Sequence, residues 1–284
     1  MDPITSAAIG GAVGGATGKF IEKALDSGKK WLKKYFEEHQ PEAQEAAHRN
    51  MLAFLNDLAK RLQEVENSVK KAPGVKNQIE EAVTDPDFSA LLHDCMIASA
   101  RTSSSEKHRV LARLVSERLV AEEESLIALS ADLACKAIPR LSPKHLRILA
   151  VLVLVYGTRP TPFPPRVAHE QFHCWWVAWL EKHLTPIMPV GKITPNDYAH
   201  LTAVSCIAYD FLTSRDLEER LSPPRESGFR WNCDEFLTRT DVGRELSKLW
   251  EGGMGRALAT TVGRLIGIIV TDEILGIRTV MAWG

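Results

Sequence analysis

Between Pro41 and Gly157 the apolar residues recur at three- and four-residue intervals in one block after another, and prolines or glycines separate the blocks. That period places side chains on one face of an α-helix and is incompatible with strands, whose side chains alternate with a period of two. The first block runs from Pro41 to about Lys71, where Pro73-Gly74 stops it. Its residues Leu52, Leu55, Ala59, Leu62 and Val69 form a coiled-coil-like seam interrupted by Glu66, suited to a helical hairpin or a dimer. A second block opens at Asp85-Pro86-Asp87 and carries Phe88, Leu91, Leu92, Cys95 and Met96 on one face. Ser103 and Glu106 have the spacing of a capping box, ahead of a helix expected to bury Val110, Leu111, Leu114, Val115 and Leu119. The acids Glu122-Glu123-Glu124 suit the first turn of a helix burying Leu126, Leu129, Leu133 and Ile138. Ser142-Pro143 then caps a strongly apolar helix from Leu146 to Tyr156.

The N-terminus is of a different kind. Ile4 to Gly18 carry no charge, and Gly10, Gly14 and Gly18 recur every four residues beside the pair Gly11 and Gly15. On a helix this is a smooth ridge that admits a second helix at close range, as in lipid. Each glycine costs a helix in water about 1 kcal/mol, so a packed partner or a bilayer must compensate. The run is shorter than the ~20 residues of a spanning helix. Beyond it, Phe20, Ile21, Ala24, Leu25, Trp31, Leu32 and Tyr35 keep helical spacing, while Lys19, Lys23, Lys29, Lys30, Lys33 and Lys34 face Glu22 and Asp26 alone on the other side. A basic amphipathic helix with aromatic residues suits an anionic membrane surface. The residues expected to serve membrane contact or oligomerisation are therefore Gly10, Gly14, Gly18, Lys29, Lys30, Trp31, Lys33 and Lys34.

Balanced charge, 35 Lys+Arg against 36 Asp+Glu, disfavours nucleic acid as a partner, and 45% hydrophobic residues exclude wholesale disorder. Five cysteines without a CxxC speak against a secreted disulfide framework. Asp2, and a first lysine that follows the apolar run, do not make a secretory signal. A cytoplasmic protein is expected, with relocation to the inner membrane when triggered.

The stretch DPDFSALLHDCMIASARTSSSEKHRVLARLVSERL, followed by ALSADLACKAIPRLSPKHLRILAVL, resembles the centre of the bacterial abortive-infection alpha (Abi-alpha) family. The resemblance covers roughly residues 80–155, with a weaker echo at FLTRTDVGREL. It implies antiviral defence, and a helix of the LSP…ILxxL kind leading into a winged-helix-like C-terminal part. It carries no catalytic residue to this chain.

Past Gly157, Arg159 to Pro165 form a proline-rich loop and the expected boundary. Thr194-Pro195 predicts a helix through about Leu212, Gly228 to Leu237 a short hairpin strand, and Thr240 a helix to Trp250. In a last helix, Leu258, Val262, Leu265, Ile266 and Ile269 form the apolar face, and Gly263 and Gly267 make a GxxxG expected to pack, against the N-terminal glycine ridge for instance. Arg225, Arg230, Arg239 and Arg244 are interleaved with Asp234, Glu235, Asp241 and Glu245, as on a solvated surface.

One enzyme motif is present. His169-Glu170-Gln171-Phe172-His173 matches HExxH, in which two histidines one helical turn apart hold zinc and the glutamate takes a proton from metal-bound water. The positions where metzincins carry a glycine and a third histidine hold Trp176 and Trp179, leaving Cys174, Glu181 and His183 as substitutes. No Walker lysine motif, Rossmann fingerprint or GxSxG elbow occurs.

The expectation is thus a mainly α multi-helix bundle with a winged-helix-like end. It divides into a 1–40 N-terminal helix, a 41–157 bundle and a 158–284 domain. The expected function is non-enzymatic defence without a cofactor, through membrane association of the N-terminal helix. The partner would be a second defence protein or another copy of the chain. The alternatives are a zinc hydrolase using Glu170, His169 and His173, and a regulatory binding module.

Overall fold

The structure, a computed structural model, describes residues 15–35, 37, 40–69, 85–122, 124–157, 168–188, 190–223 and 231–278. Among them are 12 α-helices and two short strands, so the chain is mainly helical. Its contacts gather into two units, Met1–Arg140 and Leu141–Gly284.

The first unit holds α1 (Gly15–Tyr35), α2 (Pro41–Val69), α3 (Pro86–Ala100), α4 (Ser105–Val120), α5 (Leu126–Ala137) and a 3-10 turn at Ile138–Arg140. Helices α1, α3 and α4 all pack on α2. With neighbours on several sides, α2 buries Met51, Phe54, Leu55, Leu58, Ala59, Leu62 and Val65, a broader face than the expected seam. Leu52 is only half-buried, and the side chain of Val69 lies outside the described residues. Glu66, which interrupts the seam, accepts a hydrogen bond from the buried Thr17 hydroxyl of α1 at 2.7 Å. Gly28 lets α1 close on α2, since a Cβ there would stand 2.6 Å from Met51 Sδ.

The caps follow the sequence with two corrections. Asp85 caps α3 with Pro86 in its first turn, and Ser125 caps α5. Ser104, not Ser103, accepts from Lys107 N at the start of α4. Glu122 and Glu124 precede the α5 cap instead of forming its first turn, and Glu124 takes φ 59°. Helix α5 also turns a different face inward. It buries Ala128, Ala131, Ala134 and Cys135 against α3 and α4, and leaves Leu126, Leu129 and Leu133 at least half exposed. Small residues let the helices approach closely; the leucines stay outside.

The second unit holds α6 (Pro143–Gly157), α7 (His169–Leu184), α8 (Pro195–Ala203), β1 (Ile207–Tyr209), α9 (Leu217–Leu221), α10 (Cys233–Arg239), α11 (Asp241–Glu251), a 3-10 turn (Met254–Arg256), β2 (Ala257–Ala259) and α12 (Thr261–Leu275). Helices α6 and α12 form the centre, each buried nearly all round from Ile148 to Val155 and from Leu265 to Asp272. Gly267 permits the contact: a Cβ there would lie 2.5 Å from the Leu149 carbonyl oxygen and 2.6 Å from Val153 Cγ2. Of the C-terminal GxxxG, Gly263 lies against the Cys206 carbonyl, and Gly267 serves α6. This contact also draws α6 into the second unit, so the division falls before that helix and not in the loop after Gly157.

The expected helix from Thr194 to Leu212 ends at Ala203. Ser205 takes φ 60°, and the chain continues as β1. β1 pairs antiparallel with β2, Ile207 opposite Ala259 and Tyr209 opposite Ala257. Of the stretch Gly228 to Leu237, expected as a short hairpin strand, residues from Cys233 on are helical, and residues 228–230 lie outside the described residues. Leu258 is on β2 and partly exposed, because Thr260 caps α12 and starts the helix after it. Among the described residues no helix is long and apolar enough to cross a membrane.

Candidate functional site

Helix α1 separates its chemistry by face. Thr17, Phe20, Ile21, Ala24, Leu25 and Leu32 are buried, as is Gly18. Lys19, Lys23, Lys30, Lys33 and Lys34 are exposed, with Lys29 half-buried. No acid stands between Asp26 and Tyr35, so the second half of the helix is uniformly positive. Trp31 does not face outward as a free anchor. Its ring stacks on Tyr35 at 4.8 Å and meets His93 of α3 edge-on at 5.6 Å, which pins this end of α1 to the bundle. Gly10 and Gly14 lie outside the described residues.

The HExxH segment is the first turn of α7. His169 and Glu170 are exposed. His173 Nε2 lies 3.3 Å from Glu235 Oε2 of α10, a carboxylate that also pairs with Arg239 at 2.6 Å. Cys174 is exposed, and His183 donates from Nδ1 to the Trp179 carbonyl at 2.7 Å. Among the described residues no three His, Cys, Asp or Glu side chains stand together as a metal site. The other face of α7 explains its composition. Phe172, Trp176, Leu180 and Leu184 are buried at helical spacing, and Trp176 stacks on Trp179 and meets Trp231 edge-on. The Trp176 indole N–H donates to the Leu221 carbonyl at 3.0 Å. Nearby, Arg239 pairs with Glu235 and Arg244 with Asp241, which balances charge on α10 and α11. Arg225 and Arg230 lie outside the described residues.

The densest polar cluster was not singled out by the sequence reading. It joins the starts of α6 and α8 around Asp197. That carboxylate accepts from the Thr194 N–H at 2.7 Å, the Thr194 hydroxyl at 2.9 Å, the Lys144 ammonium at 2.7 Å and His145 Nε2 at 3.1 Å. The Ser142 N–H donates to His145 Nδ1, so the proton of the neutral ring is on Nε2. Burial raises the Asp197 pKa, but the Lys144, Thr194 and His145 bonds outweigh it and hold the carboxyl well below the usual carboxylate range. Burial lowers the His145 pKa. The capping-box spacing Thr194-x-x-Asp197 was the available signal. With every oxygen committed, this cluster braces helices and has no lone pair left for substrate.

A protein-family model matches residues 18–230, most of the chain. The chain belongs to that family. The family is uncharacterised, and its match takes in α1 from Gly18, the rest of the first unit and the second unit as far as the segment before α10. No curated protein and no solved structure matches the chain.

Proposed function

We propose that this is a non-enzymatic bacterial defence protein of the abortive-infection kind that docks on anionic membrane surfaces through the lysine face of α1. The observation that carries the docking is the separation of that helix, lysines outward and apolar residues buried. Its apolar face is already occupied by α2, so docking needs no rearrangement, whereas insertion of the glycine-rich side would require α1 to leave the unit. Each lysine near an anionic surface contributes about 1 kcal/mol, so the cluster at Lys29, Lys30, Lys33 and Lys34 favours anionic over neutral lipid by about 3–4 kcal/mol, or 10²–10³-fold, at low salt. The resemblance of residues 80–155 to the Abi-alpha family supports the defence setting. Helices α10 and α11 with the β1–β2 ribbon support reading the second unit as a variant of the winged helix. The exposed Leu126, Leu129 and Leu133 support a second copy as partner.

The test is flotation of the full chain with vesicles of phosphatidylcholine, alone or mixed with phosphatidylglycerol. Binding to the anionic vesicles only, lost in high salt and in the combined variant Lys29→Gln, Lys30→Gln, Lys33→Gln, Lys34→Gln, is the expected result. Equal binding by the variant, or none by the wild type, overturns the docking. Plaque counts on bacteria expressing either form test the defence link: protection by wild type alone is expected, and protection by both breaks the link.

A further inference from the structure

The second unit contains a cleft of about 600 Å³ between α8, β1 and the turn after α11. That volume lies in the range of small-molecule sites. Its wall is aromatic: Tyr198 and Tyr209 have ring centres 5.4 Å apart, and Phe211 stands 5.1 Å beyond Tyr209 at 69° to it. Phe211 is 77% exposed at the mouth, an unusual place for a phenylalanine. The turn that presents it is built, since the Asp210 carboxylate accepts from Leu212 N and Thr213 N, and Asp210 N donates to the Arg256 carbonyl.

Three polar residues line this region. Tyr198 is 2% exposed and its hydroxyl has no hydrogen-bond partner. Such a group is rare in a native interior. Burial pushes the phenol pKa up, so it is a donor at all working pH values. Arg256 lines the cleft, is exposed, and makes no ion pair among the described residues. Glu251 lines it too, its carboxylate accepting from the Ser247 hydroxyl at 3.2 Å. Gly253, at φ 124°, keeps the floor open: a Cβ there would stand 2.8 Å from Tyr209 Oη and 3.0 Å from Tyr198 Cε2.

We infer that this cleft binds a nucleotide. The flat base lies along Tyr209 and Phe211, because every base offers a π-face to an aromatic side chain. The Arg256 guanidinium takes the phosphate through charge-assisted bonds. Glu251 accepts from the ribose hydroxyls, which distinguishes a nucleotide from a simple aromatic acid: the acid satisfies Arg256 but brings only negative charge to Glu251. An apolar peptide leaves Arg256 and Glu251 unused.

Isothermal titration of the full chain tests this with AMP, CMP, adenosine, sodium phosphate and benzoate as probes. AMP or CMP is expected to bind, adenosine ~10-fold or more weakly for want of the phosphate, and benzoate not at all. Arg256→Gln is expected to weaken AMP ~10-fold while leaving adenosine unchanged. Phe211→Ala, at an exposed site that does not threaten the fold, is expected to weaken both. The inference is overturned if neither nucleotide binds, if benzoate binds as well as AMP, if sodium phosphate alone matches AMP, or if Phe211→Ala and Arg256→Gln bind AMP as the wild type does.

Discussion

Replacing Asp197 with alanine should destabilise the second unit by about 3 kcal/mol. The carboxylate is 8% exposed and serves four donors at 2.7–3.1 Å. Losing a helix cap costs ~1 kcal/mol, and breaking a buried charge pair costs ~3–5 kcal/mol. The Lys144 side chain is 32% exposed, so solvent recovers part of its charge and the lower end applies. About 3 kcal/mol corresponds to a melting-point drop of roughly 10 °C in a unit of this size. Trp175, Trp176, Trp179, Trp231 and Trp250 all lie in the second unit, so tryptophan fluorescence during urea unfolding reads mainly that unit. The pH dependence has a definite sign. Asp197 titrates lower folded than unfolded, so its contribution is present above the ordinary carboxylate value of about 4 and is lost as pH falls below it. His145 also titrates lower folded, chiefly through burial and against the opposing pull of Asp197. Protonation would put a hydrogen on Nδ1 facing the Ser142 N–H, so stability falls as pH drops below about 6.5. Asp197→Asn removes the group that favours the His145 charge and steepens this fall. The stability gap between wild type and Asp197→Asn should therefore widen from pH 7 to pH 5 and close below pH 4. A loss under ~1 kcal/mol for Asp197→Ala, or a gap that does not change with pH, would refute the account.

The glycines of α12 should tolerate nothing larger. Gly267→Ala drives its Cβ into the Leu149 carbonyl of α6 and is expected to cost ~1–3 kcal/mol, net of the better helix propensity of alanine; Gly263→Ala, whose Cβ would meet the Cys206 carbonyl, is expected to cost more, both measured by urea unfolding. Leu129→Glu, on the exposed stripe of α5, is expected to leave the melting temperature within about 2 °C and to shift sedimentation toward the monomer; an unchanged sedimentation profile would remove that stripe as a self-association face.

The helical class and most helix positions were legible because periodicity and caps are local. Asp85, Thr240 and the Ser142-Pro143 start can be read from a few residues, and each sits at its helix end. What was not legible depends on partners far along the chain. β1 and β2 are three residues each and meet across about fifty residues, so neither has a hairpin turn or an alternating run to announce it. The Gly228–Leu237 segment alternates weakly through Phe229 and Trp231, yet Asn232 accepts from Glu235 N and starts a helix. The cleft behind the nucleotide inference joins residues from 198, 209–211 and 251–256, none of them a motif.

Helices α5 and α7 show why composition misleads in opposite directions. In α5, leucines at helical spacing imply an inward face, but Ala131 and Ala134 pack more closely against α3 and α4, and the leucines are left outside. In α7, HExxH implies a metal face, but Phe172 within it is buried and continues into Trp176 and Leu180 one and two turns on. The spacing that puts His169 and His173 on one side also puts Phe172 and Trp176 on the other, and burying those two aromatic rings stabilises by several kcal/mol. A helix held that firmly by its aromatic face needs nothing from its histidines. That leaves His173 to a partly exposed pair with Glu235, and an exposed or half-exposed pair of this kind is worth about 1 kcal/mol at most. The energetics of α7 therefore account for its aromatic residues, while the leucines of α5, exposed among the described residues, are the feature that asks for a partner.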